Sequence, residues 1–167
     1  MKTVTLRLPL DRVTRYQLEP GDKVLLNGTI FTARDQAHAR LTTMLERGEA
    51  SPIPLNESAL FYCGPAPTPP GMVSGAIGPT TSARMDRFTR LLLRHGLRVM
   101  IGKGDRSPEI EASIRQHEGI YLVCPGGCSA LLTQSVVSRE TYLWPELGAE
   151  AVYRLAVHDL PCYVAIV

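Results

Sequence analysis

The tightest constraint on the fold lies between Leu97 and Cys124. Leu97–Ile101 is an apolar extended run, Ser107-Pro108 opens a helix, and Ile120–Cys124 is a second extended run. A serine cap followed by proline at the first helical position is a start signal, because the missing proline N–H has no partner to lose there. Ile110, Ile114 and His117 follow along one face until Gly119. Strand, helix and strand so close together predict parallel strands joined by a right-handed crossover, a βαβ unit. The expected class is α/β, a single layered domain over residues 1–167 built on a mixed sheet.

The remaining segments fit around that unit. Val4–Leu10 alternates as a strand does, and Leu18-Glu-Pro-Gly-Asp22 is a turn. Lys23–Phe31 is a strand, with Asn27-Gly28 marking a bulge or a hairpin. Arg34–Arg47 places Ala37, Leu41, Met44 and Leu45 at helical spacing before Gly48. Six prolines between Ser51 and Gly78 predict loop and short extended pieces, with Leu60–Cys63 as a strand. A loop that long in a compact domain points to function. Thr80–His95 and Ser129–Val137 are expected helices, and Tyr153–Val157 and Cys162–Val167 are expected closing strands.

Three glycine-marked turns each join an extended segment to a helix, where unpaired N–H groups attract anions. The first, Asn27–His38, sets Arg34 and His38 four residues apart. Its arginine would grip a carboxylate through two parallel bonds or simply pair with Asp35. The second, Gly78–Asp86, holds Thr80, Thr81 and Ser82 in a row with Arg84 one turn after Thr80. Those hydroxyls would cap the helix or bind a ligand. The third, Ile101-Gly-Lys-Gly-Asp105, follows a strand directly; its glycines let backbone approach a ligand and Lys103 adds a point charge. It lacks the pattern of a nucleotide-binding P-loop. Gly126-Gly127, after the next parallel strand, should fall at the same sheet edge, the usual ligand side of an open α/β sheet. Arginines and a lysine near helix termini suit a small di-anion.

Other classes are excluded or disfavoured. A net charge of +2 leaves no electrostatic footprint for nucleic acid. No apolar run reaches membrane-spanning length, and Met1–Leu10 lacks the apolar core of a signal peptide. A cytoplasmic setting with reduced thiols is expected for Cys63, Cys124, Cys128 and Cys162. Cys124-Pro-Gly-Gly-Cys128 is not a C-x-x-C motif, and apolar neighbours suit ordinary buried thiols. No Ser/His/Asp order or paired-carboxylate signature is evident.

Five stretches occur together in one order: Gly28-Thr-Ile-Phe-Thr-Ala-Arg-Asp-Gln-Ala-His38, Tyr62-Cys-Gly-Pro65, Gly78-Pro-Thr-Thr-Ser-Ala-Arg-Met-Asp86, Ile101-Gly-Lys-Gly104 and Gly126-Gly127. In these the chain resembles the β subunit, or C-terminal domain, of class I iron–sulfur hydro-lyases, the fumarases and L(+)-tartrate dehydratases. The resemblance implies a swivelling β/β/α domain. It also implies a separate α subunit or N-terminal domain that carries a [4Fe–4S] cluster, and reversible hydration of a dicarboxylic acid. By motif, Arg34, Arg84 and Lys103 would bind substrate carboxylates and Thr80 would handle the substrate proton, with Thr81 as the competing assignment. Asp35, His38, Gly102, Gly104, Gly126 and Gly127 would support them. Cys124 and Cys128 depart from the family pattern around the paired glycines. The alternative is a standalone dicarboxylate-binding or regulatory module that works without an α partner.

Overall fold

A computed structural model describes residues 1–125 and 127–167. Its core is a seven-stranded mixed sheet. The strands are β1 (Thr3–Arg7), β2 (Lys23–Thr32), β3 (Ala59–Phe61), β4 (Val99–Gly102), β5 (Ile120–Val123), β6 (Val136–Leu143) and β7 (Val152–Ile166). The helices are α1 (Arg12–Tyr16), α2 (Asp35–Glu46), α3 (Asp86–Arg94), α4 (Pro108–Gln116) and α5 (Ser129–Thr133), and a 3₁₀ turn, Ser82–Met85, leads into α3.

β1 to β5 are parallel, each paired to the next. The predicted crossover is β4–α4–β5, and Ser107 Oγ caps it by accepting from the Ile110 amide. β7 runs antiparallel to β2 along one edge and to β5 and β6 along the other. The pairings β2–β3–β4–β5–β7–β2 thus form a closed circuit.

Alternation along the strands feeds two cores, as a pleated sheet requires. Ala59, Phe61, Val99, Ile101, Ile120 and Leu122 point into the space the circuit encloses, with Leu26, Leu155, Leu160 and Val164. Leu60, Met100 and Tyr121 point the other way, against Leu41 of α2, Leu92 of α3 and Ile114 of α4. One sheet face is therefore wrapped inside the circuit while α2, α3 and α4 cover the other.

Several expectations need correction. Asn27-Gly28 is a bulge inside one long strand, not a hairpin: the β2–β7 register shifts between Leu26 and Gly28. Gly28 sits at φ 130, which favours glycine, and a Cβ there would lie 2.9 Å from Leu8 Cβ. The expected helix Ser129–Val137 ends at Thr133, and Val136 already belongs to β6. The two closing strands are one continuous β7, and a short α1 precedes β2. The helix expected from Thr80 begins later: Thr80 and Thr81 are extended-type residues ahead of the 3₁₀ turn, and α3 proper starts at Asp86.

The proline-rich connection is closed at its neck. Ala66 N donates to Ala76 O, and Arg139 of β6 donates to Ala66 O and Ser74 Oγ. Its tip is exposed and carries Met72 and Val73.

Candidate active site

The motif turns meet because they leave the carboxyl ends of neighbouring parallel strands. Arg34 follows β2, the Thr80–Arg84 segment follows β3 through the proline-rich connection, Lys103 follows β4 and Gly127 follows β5. Backbone pairing stitches them together. Thr80 N donates to Tyr62 O at 2.7 Å, Ser82 N to Lys103 O at 3.0 Å, and Cys124 N to Gly102 O at 3.1 Å. Cys63 and Thr81 form isolated bridges with Pro79 and Lys103 respectively. Gly126 lies outside the described residues; its neighbour Gly127 is exposed and sits at φ 72.

Arg34 occupies the N-cap position of α2 in extended geometry, so it does not share a helical face with His38. The link is through backbone: His38 Nδ1 lies 2.8 Å from the Arg34 carbonyl. A carbonyl only accepts, so Nδ1 carries the proton. Burial pushes the His38 imidazole down to about 4, leaving it neutral with Nε2 buried and without a partner among the described residues. The ring packs against Tyr62 and Phe88, which makes it a spacer under the Arg34 turn. The Arg34 side chain passes over Gly64, where a Cβ would lie 3.0 Å from its Cδ and 3.1 Å from Nη1. Its Nε is buried and has no partner among the described residues.

Arg84, not Arg34, takes Asp35. Its Nε and Nη2 donate to the two carboxylate oxygens at 3.1 and 2.8 Å, a bidentate fork. The Arg84 hydrogen bonds hold the Asp35 carboxyl below its usual range. This pair joins the first motif to the second, so Arg84 is positioned by Asp35 rather than by a shared helical face with Thr80. Lys103 is exposed. Thr80 is half-buried and Thr81 exposed, and the Thr81 side chain makes no capping bond. The capping role open to the three hydroxyls is not taken: Ser82 Oγ instead accepts from Lys103 N at 3.0 Å.

Sequence reasoning passed over Arg106. Its side chain is fully buried, and Nε donates to Asp86 Oδ1 at 2.6 Å. Nη2 donates to Thr89 Oγ1 and Nη1 to Tyr62 Oη. The guanidinium lies over the Tyr62 and Tyr121 rings. A buried arginine three residues beyond a glycine-flanked lysine has no local signal, since its partners come from the residue after β3, from α3 and from β5.

An iron–sulfur cluster needs thiolates, and two of the four thiols, Cys63 and Cys162, are buried and held protonated. Burial pushes Cys63 up to about 12 and, with the neighbouring Cys124 thiol, holds Cys162 well above its ordinary value. Cys124 and Cys162 are buried with their sulfurs 3.8 Å apart. Among the described residues no three His, Cys, Asp or Glu side chains converge as metal ligands. Among them, too, no helix is long and apolar enough to cross a membrane.

The family model described as Fumarase C-terminus matches residues 1–167. Fumarate hydratase 2 of Leishmania major is 40% identical over 167 residues, covering 98% of this chain and 29% of that protein. The aerobic class I fumarate hydratase of Escherichia coli K12 is also 40% identical, with 98% and 30% covered. The L(+)-tartrate dehydratase subunit beta of Escherichia coli K12 is 34% identical over 148 residues, covering 86% of this chain and 71% of that subunit. The chain therefore spans under a third of the fumarate hydratases it matches and most of the separate β subunit.

Proposed function

Since the chain belongs to the Fumarase C-terminus family, we propose that residues 1–167 act as the β subunit of a two-subunit hydro-lyase. The reaction is of the fumarate hydratase or L(+)-tartrate dehydratase type: reversible addition of water across the C=C bond of a dicarboxylic acid. One observation carries the reading. Arg34, Arg84 and Lys103 lie in the connections that follow β2, β3 and β4 at the carboxyl ends of the parallel strands, and Arg34 Nε is buried with no partner among the described residues. Three cations presented along one sheet edge suit two carboxylates on a short chain.

In this proposal Arg34 and Lys103 bind carboxylate oxygens, and Arg84, aligned by Asp35, binds one as well. Thr80 accepts the proton next to a carboxylate, with Thr81 as its competitor. A threonine hydroxyl is a weak base in water, so it must be held as the alkoxide by nearby positive charge and backbone amides, or pass its own proton on as one link of a relay as it takes the substrate's. Removing that substrate proton adds negative charge to the adjacent carboxylate. Arg84 and Lys103 then bind the transition state more tightly than the ground state, which is what accelerates the step. The proposal assigns the [4Fe–4S] cluster implied by the family to an α-type partner chain, a reading supported by the burial of Cys63, Cys124 and Cys162.

The test is co-expression with an iron–sulfur α-type chain and anaerobic assay with fumarate, malate and tartrate. Activity should need both chains, and Thr80→Ala should lower kcat by about 10²-fold or more, the usual scale of a lost proton-transfer group. An unchanged rate in Thr80→Ala with a large loss in Thr81→Ala moves the base by one residue. Tight fumarate binding by the chain alone, with no complex formed, replaces this reading with the standalone dicarboxylate-binding module.

A further inference from the structure

The turn that presents Lys103 is gripped from beneath by groups to which the proposed reaction gives no task. Lys103 N donates to Ser82 Oγ, and the Tyr121 hydroxyl lies 2.7 Å from that same Oγ and 2.8 Å from the Gly104 carbonyl. An amide only donates, a carbonyl only accepts, and each hydroxyl has one hydrogen. These limits set a direction. Lys103 N–H points to Ser82, the Ser82 hydroxyl to Tyr121, and the Tyr121 hydroxyl to Gly104. The loop's own backbone is thus bonded at both ends of a buried two-hydroxyl relay, in which each bond polarises the next. Space enforces it: a Cβ on Gly102 would lie 1.9 Å from Ser82 Oγ.

The far end of the turn is fixed separately. Arg106 bonds one Asp86 oxygen at 2.6 Å while the Ser107 amide bonds the other at 2.9 Å. The Arg106 guanidinium also lies over the Tyr121 ring, 4.9 Å from its centroid. Both anchors therefore share Tyr121, yet the Lys103 side chain itself stays exposed.

We propose that Tyr121 and Arg106 are positioning residues that hold the Lys103 backbone against the Thr80–Ser82 segment. They fix where the ammonium can reach without touching substrate. This rests on the assignment of Lys103 to carboxylate binding, and two measurements separate the failures.

The first uses the chain alone. Amide hydrogen exchange at Lys103 should speed up by about tenfold in Tyr121→Phe and in Ser82→Ala, as local opening becomes easier. The β4 amides of Met100 and Ile101 should stay as in the parent. Unchanged exchange at Lys103 overturns the proposal whatever the enzyme does. The second uses the assembled enzyme. Tyr121→Phe should raise KM and lower kcat together, with kcat/KM down by about tenfold, the scale of one lost hydrogen bond. It should add nothing on top of Lys103→Ala. Arg106→Lys, which keeps the charge opposite Asp86, should give an intermediate KM. If Lys103→Ala leaves KM unchanged, the carboxylate-binding assignment falls and the exchange result still decides the positioning. If Lys103→Ala raises KM while Tyr121→Phe does not, the positioning role is wrong.

Discussion

At the residue scale the most informative contact is the fork between Arg84 and Asp35. Both members are part-exposed, at 46% and 30%, so the pair contributes under about 1 kcal/mol to stability. Its value is in aim rather than energy. Asp35→Asn should leave the thermal midpoint nearly unchanged while weakening dicarboxylate binding, read by calorimetry on the complex. Its carboxyl titrates below the ordinary 3.8 in the folded chain. Whatever the pair contributes is therefore present above that pH and is lost only as the medium falls through the depressed value.

His38 gives a pH signature of the same sign in a higher window. Folded, it stays neutral down to about 4, whereas unfolded it takes a proton near 6.5. Between those values the unfolded chain binds more protons, so stability falls as pH drops from 6.5 towards 4 and is intact at pH 7. The full span is worth about 3 kcal/mol. Denaturant midpoints at pH 7 and pH 5 should separate clearly in the parent and converge in His38→Gln. The identity of Arg34, Arg84 and Lys103 as candidates was legible from local motifs. Their partners were not: the choice of Asp35 by Arg84 depends on two turns meeting across the sheet edge, which no spacing along the chain encodes.

At the scale of elements, the parallel core was readable because each strand and helix carries its own punctuation. Ser107-Pro108 and Gly119 bracket α4, and Gly48 follows α2. The antiparallel part was not. In β7 the polar His158-Asp159 step interrupts the apolar pattern, and Pro161 lacks an amide hydrogen, so the segment reads as two strands. Here tertiary contacts overrule the local signal. Asp159 adopts φ 52, and its amide and carboxylate are held by the Asn27 side chain at 3.1 and 3.0 Å. The β2 bulge thus supplies the bonds that carry β7 through its irregularity. Asn27→Ala, at a nearly buried site, should cost about 1–3 kcal/mol by stranding those groups, measured by chemical denaturation. The first two residues of β6, Val136 and Val137, fall in the expected helix Ser129–Val137; pairing with β7 decides otherwise.

At the scale of the whole molecule, four turns converge because four adjacent strands point the same way. That placement follows from sheet order, and sheet order follows from the crossovers. Gly102 is where this arrangement has the least tolerance. Gly102→Ala would press on Ser82 Oγ and on Tyr62 Cδ2, 2.8 Å away. Overpacking of this kind should destabilise by about 1–3 kcal/mol and loosen the Lys103 turn together, checked by melting and by exchange at Lys103.

The closed strand circuit also sets an order in time. β2 is made early, yet its partner along one whole edge is β7, with Lys23 opposite Tyr163 and Phe31 opposite Arg154. No local hairpin can substitute for that pairing. Until the last strand is synthesised, β2 and β5 each present a bare edge, and the apolar interior stays open to water. Closure of so long a loop is slow compared with forming the βαβ unit. A nascent chain halted before Val152 should therefore be a substrate for chaperones or proteases.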